Sequence, residues 1–248
     1  MSGDAPLSAA EKTLSVLEAL ADHSRIADIA DASGLPKPTV HRILQTLVRR
    51  GFARADGRGG YVGGPRILSL AGRFLQRLDV AEHVRPTLRD LQERTGWTVH
   101  FALLSGDEAV YVAKVEGARP YHLASRVGMS LRLHCTSIGK AILAALPDDE
   151  VRALARRTGL PARTERTITD ERALLAELAA VRERGYAEDH EENEAGVRAV
   201  GAAVLNHTGE VVGGLSAASL VDLADAPRDL PQLVVRAAAE VSRALGAD

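Results

Sequence analysis

Cysteine occurs once in this 248-residue chain, as Cys135, so no internal disulfide can form and stability has to come from packing. Aromatic residues are scarce at 3%, which leaves Ala, Leu and Val to build the core within an apolar fraction of 46%. No apolar run approaches the roughly 18 residues of a membrane-spanning helix. The opening stretch "MSGDAPLSAAEKTL" has no basic-then-apolar segment of the kind that directs export. These absences predict a reduced, cytoplasmic protein with no membrane partner. Internal repeats and low-complexity segments are missing too, and the length suits one large domain or two ordinary ones.

A net charge of −2 hides an uneven distribution. Residues 24–75 hold nine Lys/Arg against three Asp/Glu, whereas residues 76–248 hold twenty-one against twenty-six. A compact basic segment on an acidic remainder suggests a module for a polyanion. Within it, Leu14, Val16, Leu17 and Leu20 fall on one helical stripe, "IADIADASGL" reads as a short helix stopped by Gly34, and "PKPTVHRILQTLVRRG" reads as a helix with prolines at its start and Gly51 past its end. Two short helices around a glycine-containing turn form a helix-turn-helix, whose second helix can enter the major groove of DNA. "FARADGRGGYVGG" adds two extended pieces around Asp56-Gly57, a wing. Any soluble domain carries arginines, but three helices, a wing and local positive charge in this order favour a DNA contact by Lys37, Thr39, Val40, His41, Arg42, Thr46, Arg54 and Arg58. The glycines of the wing do not form a phosphate loop, because no Gly-Lys-Ser/Thr ending and no helix follow them.

Next, Leu68, Leu70, Phe74, Leu75 and Leu78 mark one helix and Val84, Leu88 and Leu91 a second, with the domain boundary near residues 76–82. The pattern predicts a winged helix-turn-helix over 8–75, a linker helix over 76–95 and a separate domain over 96–248. In that last domain, hairpins are predicted at Gly106-Asp107 and at His207-Thr208-Gly209, with helices at 137–146, 148–158, 170–185 and about 230–246. Hairpin strands with helices gathered between them give an α+β fold on an antiparallel sheet.

The stretch "LHCTSIGKAIL" invites three chemical readings. Ser137 and Lys140 match the Ser-x-x-Lys spacing of acylating enzymes, which makes a serine hydrolase or acyltransferase the rival reading; however, neither companion motif, Ser-Asp-Asn nor Lys-Thr-Gly, occurs. His134 and Cys135, if on a strand, point to opposite faces and cannot form a nucleophile pair. The eight histidines are scattered, "EDHEENE" has no recognised metal spacing and reads as a solvated acidic run, and neither a metal nor a cofactor is expected. What remains is a helix start with free backbone N–H groups, suited to a carboxylate.

These residues also resemble a family, the IclR-type bacterial transcription regulators. "GLPKPTVHRILQTLVRRGF" is similar to its recognition-helix segment, "GPRILSLAG" to its linker start and "TVHFALLSGDEAVYVAKVEG" to its first effector-domain hairpin. "SRVGMSLRLHCTSIGKAILAALP" and "GYAEDHEENEAGVRAVGAAVLNHTGEVVGGLSAAS" resemble its two most diagnostic blocks. The resemblance implies no enzyme but a repressor or activator, with a winged helix-turn-helix joined by a helix to a GAF-like effector-binding domain, assembled as a homodimer or dimer of dimers on double-stranded operator DNA. It implies a small organic-acid-like effector held by Ser137, Ile138, Asp189, Ala199, Ser216 and Ala218. Many members carry Cys where Ala199 stands and Ser where Ala218 stands, so an effector larger than pyruvate is expected here. The linker helices over 66–95 are expected to offer apolar surface for dimerisation.

Overall fold

A computed structural model describes residues 7–70, 80–118, 123–220 and 226–247. The chain divides into two compact units, Met1–Leu78 and Asp79–Asp248.

In the first unit, α1 (Ala9–Asp22), α2 (Ile26–Ser33) and α3 (Lys37–Arg49) enclose a core of Val16, Leu20, Ile29, Val40, Leu44 and Leu47. The start of α1 and the end of α2 have local causes. The Ser8 hydroxyl accepts from Glu11 N–H at 3.2 Å while the Glu11 carboxylate accepts from Ser8 N–H at 2.6 Å, a reciprocal cap that satisfies two otherwise orphaned donors. Gly34 ends α2 with φ at +65°, a conformation that side chains resist. Strands β1 (Ala53–Ala55) and β2 (Tyr61–Gly63) pair antiparallel, Ala55 opposite Tyr61, and the Asp56 carboxylate ties the turn by accepting from Arg58 and Gly60 N–H. Residues 65–70 are helical. Phe74, Leu75 and Leu78, expected on that helix, lie outside the described residues.

The second unit is built on a six-stranded antiparallel sheet in the order β5-β4-β3-β8-β7-β6. Its strands are β3 (Thr98–Ser105), β4 (Glu108–Val115), β5 (Ser130–Arg132), β6 (Ala187–His190), β7 (Arg198–Leu205) and β8 (Val211–Ser219). Strand alternation gives the sheet two working faces. Val99, Phe101, Val200, Ala202, Leu215 and Ala217 share a core with Val84, Leu88 and Leu91 of α4 (Val80–Thr95) and with Leu233, Val234 and Val241 of α8 (Leu230–Ala244). On the opposite face lie α5 (Ser137–Ala144), α6 (Asp148–Thr158) and α7 (Glu171–Arg184), with Ile138, Ile142, Val151, Leu174 and Leu178 packed around Leu131 and Leu133.

Three expectations are corrected here. Val40, counted among the DNA contacts, is fully buried, because its position one turn before Leu44 aims it into the core. Of the 66–95 stretch expected to offer apolar surface for dimerisation, Val84, Leu88 and Leu91 of α4 are instead buried against the sheet of their own unit, whereas Leu68 is exposed. Residues 133–136 are bends rather than a strand, so His134 and Cys135 are kept apart by their separate partners, not by strand alternation.

Candidate functional site

On α3, Lys37, His41, Arg42 and Thr46 are exposed and Thr39 is half-exposed, while Arg54 and Arg58 are exposed on the wing. The outward face arises because Val40, Leu44 and Leu47 take the inward one. Thr46 is partly spoken for, since its hydroxyl donates to the Arg42 carbonyl and accepts from the Arg49 guanidinium at 2.9 Å. A recess of about 360 Å³ between α1 and α3 is lined by Lys12, Thr13, Thr39, Arg42 and Thr46 among others. Lys12 and Thr13 were not singled out from the sequence. They lie on α1, and only tertiary packing brings α1 alongside α3.

In the second unit, sheet register and one helix start converge on a cavity. Asp189, Ala199 and Ala218 stand opposite one another across β6, β7 and β8, and Gly201, Ser216 and His100 form a parallel row across β7, β8 and β3. The two rows are two residues apart, so they share a face. Over them sits the start of α5. Thr136 caps it by accepting from Gly139 N–H at 3.1 Å, and the N–H groups of Ser137 and Ile138 find no acceptor among the described residues. The approach is close enough to require glycine. A Cβ on Gly201 would sit 2.7 Å from the Ser137 carbonyl carbon, and one on Gly139 would overlap the backbone of Leu133.

All six residues carried over from the family resemblance, Ser137, Ile138, Asp189, Ala199, Ser216 and Ala218, line this cavity of about 50 Å³. Leu123, Val197, Ala199 and Ala218 form one apolar wall. Opposite chemistry comes from His100, Tyr111, Ser125 and Asn193. A wider recess of about 350 Å³ adjoins it through the shared lining residues Tyr111, Ser125, Asn193 and Glu194, and carries Arg132 and Arg163 further out.

Burial dominates the electrostatics. Asp189 is 4% exposed and its carboxyl is pushed up to about 7, chiefly by desolvation and also by the nearby Glu192 charge; the hydrogen bond from Glu192 N–H at 2.8 Å and the charge of Lys140 only partly offset this. Burial drives the His100 imidazole down to about 3, helped by the Lys114 charge, and lifts the Tyr111 hydroxyl to about 12. His100 bonds Ser125 Oγ through Nε2 at 2.7 Å, and its Nδ1 is buried without a partner among the described residues. Lys114 holds the same segment by donating to the Leu123 and Ser125 carbonyls at 3.0 and 2.7 Å.

The rival chemistry is not assembled. Lys140 is buried and donates to Glu192 at 2.5 Å and to Glu177 at 3.3 Å, so its ammonium is committed to two carboxylates rather than placed to take a proton from Ser137. His134 bonds the Pro161 carbonyl at 3.1 Å, and Cys135 faces Asn193 at 3.7 Å with its thiol lifted to about 12 by burial. The run "EDHEENE", read as solvated, is corrected in part: Asp189 and Glu192 are buried, because Lys140 and the cavity draw them in. His100, Tyr111, Lys114 and the Lys140–Glu192 pair were missed. Polar residues inside an apolar strand alternation were the available signal for the first three.

A helix-turn-helix with a wing, followed by a second unit on an antiparallel sheet, defines the class as helix-turn-helix transcriptional regulators. The family model described as the IclR helix-turn-helix domain matches residues 9–57, and that described as bacterial transcriptional regulator IclR C-terminal matches residues 72–243. The chain belongs to the IclR family of bacterial transcriptional regulators. It is 34% identical to the HTH-type transcriptional regulator XynR of Escherichia coli over 95% of this chain and 96% of that one, and 32% identical to the transcriptional repressor IclR of the same species over 94% and 88%. Among solved structures, an IclR transcriptional regulator from Alicyclobacillus acidocaldarius matches with a TM-score of 0.82 at 28% identity, covering 97% of this chain and all of that one. The IclR of Thermotoga maritima matches with a TM-score of 0.72 at 31% identity, over 96% and 98%.

Proposed function

We propose that this chain is a metabolite-responsive regulator that binds double-stranded operator DNA through α3 and the wing and a small organic acid in the cavity under α5. The observation that carries the reading is convergence: six positions spread from residue 137 to residue 218 line one cavity that contains two free amides at a helix start. The inner cavity, at about 50 Å³, has room for only a few waters, enough for a carboxylate head. The body of an acid larger than pyruvate extends past Tyr111 and Ser125 into the adjoining recess. On this reading the protein is not an enzyme, since Lys140 is engaged elsewhere. One α3 reads only a few base pairs, so the active unit is at least a homodimer.

The test is a thermal-shift panel of carboxylic acids on the whole protein, repeated on Ala218→Leu, which fills the cavity. An acid that raises the melting temperature of the parent and not of the variant supports the site. Stabilisation by none of the acids, or equal stabilisation of both proteins, overturns it. For assembly, light scattering at micromolar concentration should give a mass of at least twice the chain; a monomer that binds operator without assembling on it removes the dimer from the proposal.

A further inference from the structure

We infer that Asp189 meets the bound acid as a neutral carboxylic acid, donating a hydrogen bond to the ligand carboxylate, so that the pocket takes up a proton with each anion it binds. This rests on the reading of the cavity as an acid site, and deepens it by assigning Asp189 the role of specificity-determining donor.

The geometry is restrictive. The free amides of Ser137 and Ile138 and the Asp189 side chain line the same cavity of about 50 Å³, so a carboxylate seated on the amides cannot lie far from Asp189. Like charges at such range disfavour each other's ionised form, most of all where water is excluded and an apolar wall of Leu123, Val197, Ala199 and Ala218 stands beside them. A cation between the two carboxylates would relieve this. Among the described residues the neighbours supply none that is uncommitted, and Lys114 of β4 is itself bound to Glu116 and to the Leu123 and Ser125 carbonyls. From α5, Lys140 is bound to Glu192 and Glu177. From β3, His100 is held neutral by burial, and from β4, Tyr111 remains a phenol. The 133–136 bend contributes Cys135 as a thiol, the loop after β6 contributes Glu192 and Glu194, and β7 and β8 contribute only Ala199, Ser216 and Ala218. Arg163 and Arg132 line the outer recess and not the inner cavity. Asp189 is the carboxyl that lines the cavity with its charged form disfavoured, since burial already lifts it to about 7. The proton balance is simple: the aspartate form plus one proton from buffer gives the acid form, which then donates to the ligand, and no bond other than O–H is made.

The experiment is isothermal titration of the whole protein with acetate, pyruvate, succinate and benzoate, each at pH 6 and pH 8 in two buffers that differ in heat of ionisation. Uptake close to one proton is expected at pH 8 and much less at pH 6, with affinity falling about tenfold per pH unit above 7. Asp189→Asn should bind the same acid at pH 8 about as tightly as the parent does at pH 6, with no proton uptake. Difference infrared spectroscopy of the parent with the 13C-carboxyl-labelled acid gives an answer that needs no variant, because a protonated protein carboxyl then separates from the ligand's bands. An acid that binds without proton uptake, or a spectrum with no protonated carboxyl in the complex, overturns the inference and leaves the acid site standing. If none of the four acids binds at either pH, the acid site itself fails and the inference with it.

Discussion

The outward polar groups of α3 and the wing, Lys37, His41, Arg42, Thr46, Arg54 and Arg58, are exposed, whereas Ser137, Asp189 and Ser216 of the second unit are each less than 5% exposed. The first set sits on a scaffold that is complete without it, since Val16, Ile29, Val40, Leu44 and Leu47 hold the helices together. The second set is part of what it would read: Asp189 fixes the turn to Glu192, and Glu192 is fixed by Lys140. Substitutions on the two units should therefore separate. Those on α3 and the wing change affinity and leave stability alone, while those around the cavity change stability even with no ligand present.

The strongest test of that contrast is Lys140→Ala. Removing one partner of a buried ion pair leaves Glu192 uncompensated, while Glu177 keeps Arg184 at 2.8 Å, at a cost of about 3–5 kcal/mol, read by urea denaturation of the second unit. A loss under 1 kcal/mol would break the contrast at its firmest point.

Asp189→Asn should act in the opposite direction. The folded carboxyl value of about 7 lies above the ordinary 3.8, so Asp189 favours folding fully at low pH and that contribution is lost as pH rises from about 4 to about 7, with no further change above. The shift corresponds to at most roughly 4 kcal/mol. The asparagine variant should gain on the parent across that interval and keep a constant lead beyond it, in denaturation at pH 5, 7 and 8.5. His100, whose folded value is lowered, gives the reverse slope as pH falls below 6.5, but equally in both proteins. A stability difference that does not vary with pH would show that Asp189 is not desolvated.

On the first unit, Arg42→Ala should cost about 1–3 kcal/mol of operator affinity, concentrated at one base position, with an unchanged melting temperature. Arg58→Ala should have the smallest effect, weakening all DNA sequences alike and reducing the slope of log affinity against log salt by about one. Competitive gel-shift titrations at three salt concentrations distinguish these; operator binding untouched in the double variant would remove α3 and the wing from the DNA contact.

How much of this was legible beforehand depends on the range over which each signal acts. The helix limits at Gly34 and Gly51, the hairpins at Gly106 and Gly209 and the inward stripes of α3 and α4 are local, and periodicity or turn chemistry displays them. Periodicity says that one face of α4 is buried but not against what, which is why part of the apolar surface expected over 66–95 falls where the chain's own sheet lies. The three- and four-residue strands β5 and β6 are too short to show alternation. Glu192 was invisible as a buried group because its partner Lys140 is 52 residues away. The helix start at Ser137 was legible in its own stretch, whereas Asp189, Ala199, Ser216 and Ala218 came from family resemblance and not from any property of their sequence spacing.

Gly139 of α5 and Gly201 of β7 separate what can drift in this pocket from what cannot. Gly201 and Gly139 stand where backbone meets backbone, with no room for even a methyl group. Ala199, Ser216 and Ala218 instead present side chains to open space along the same strands. A lineage can therefore exchange methyl, hydroxyl or thiol at those three places and change what the cavity accommodates in single substitutions, while the frame that aims the helix at the sheet is inherited unchanged.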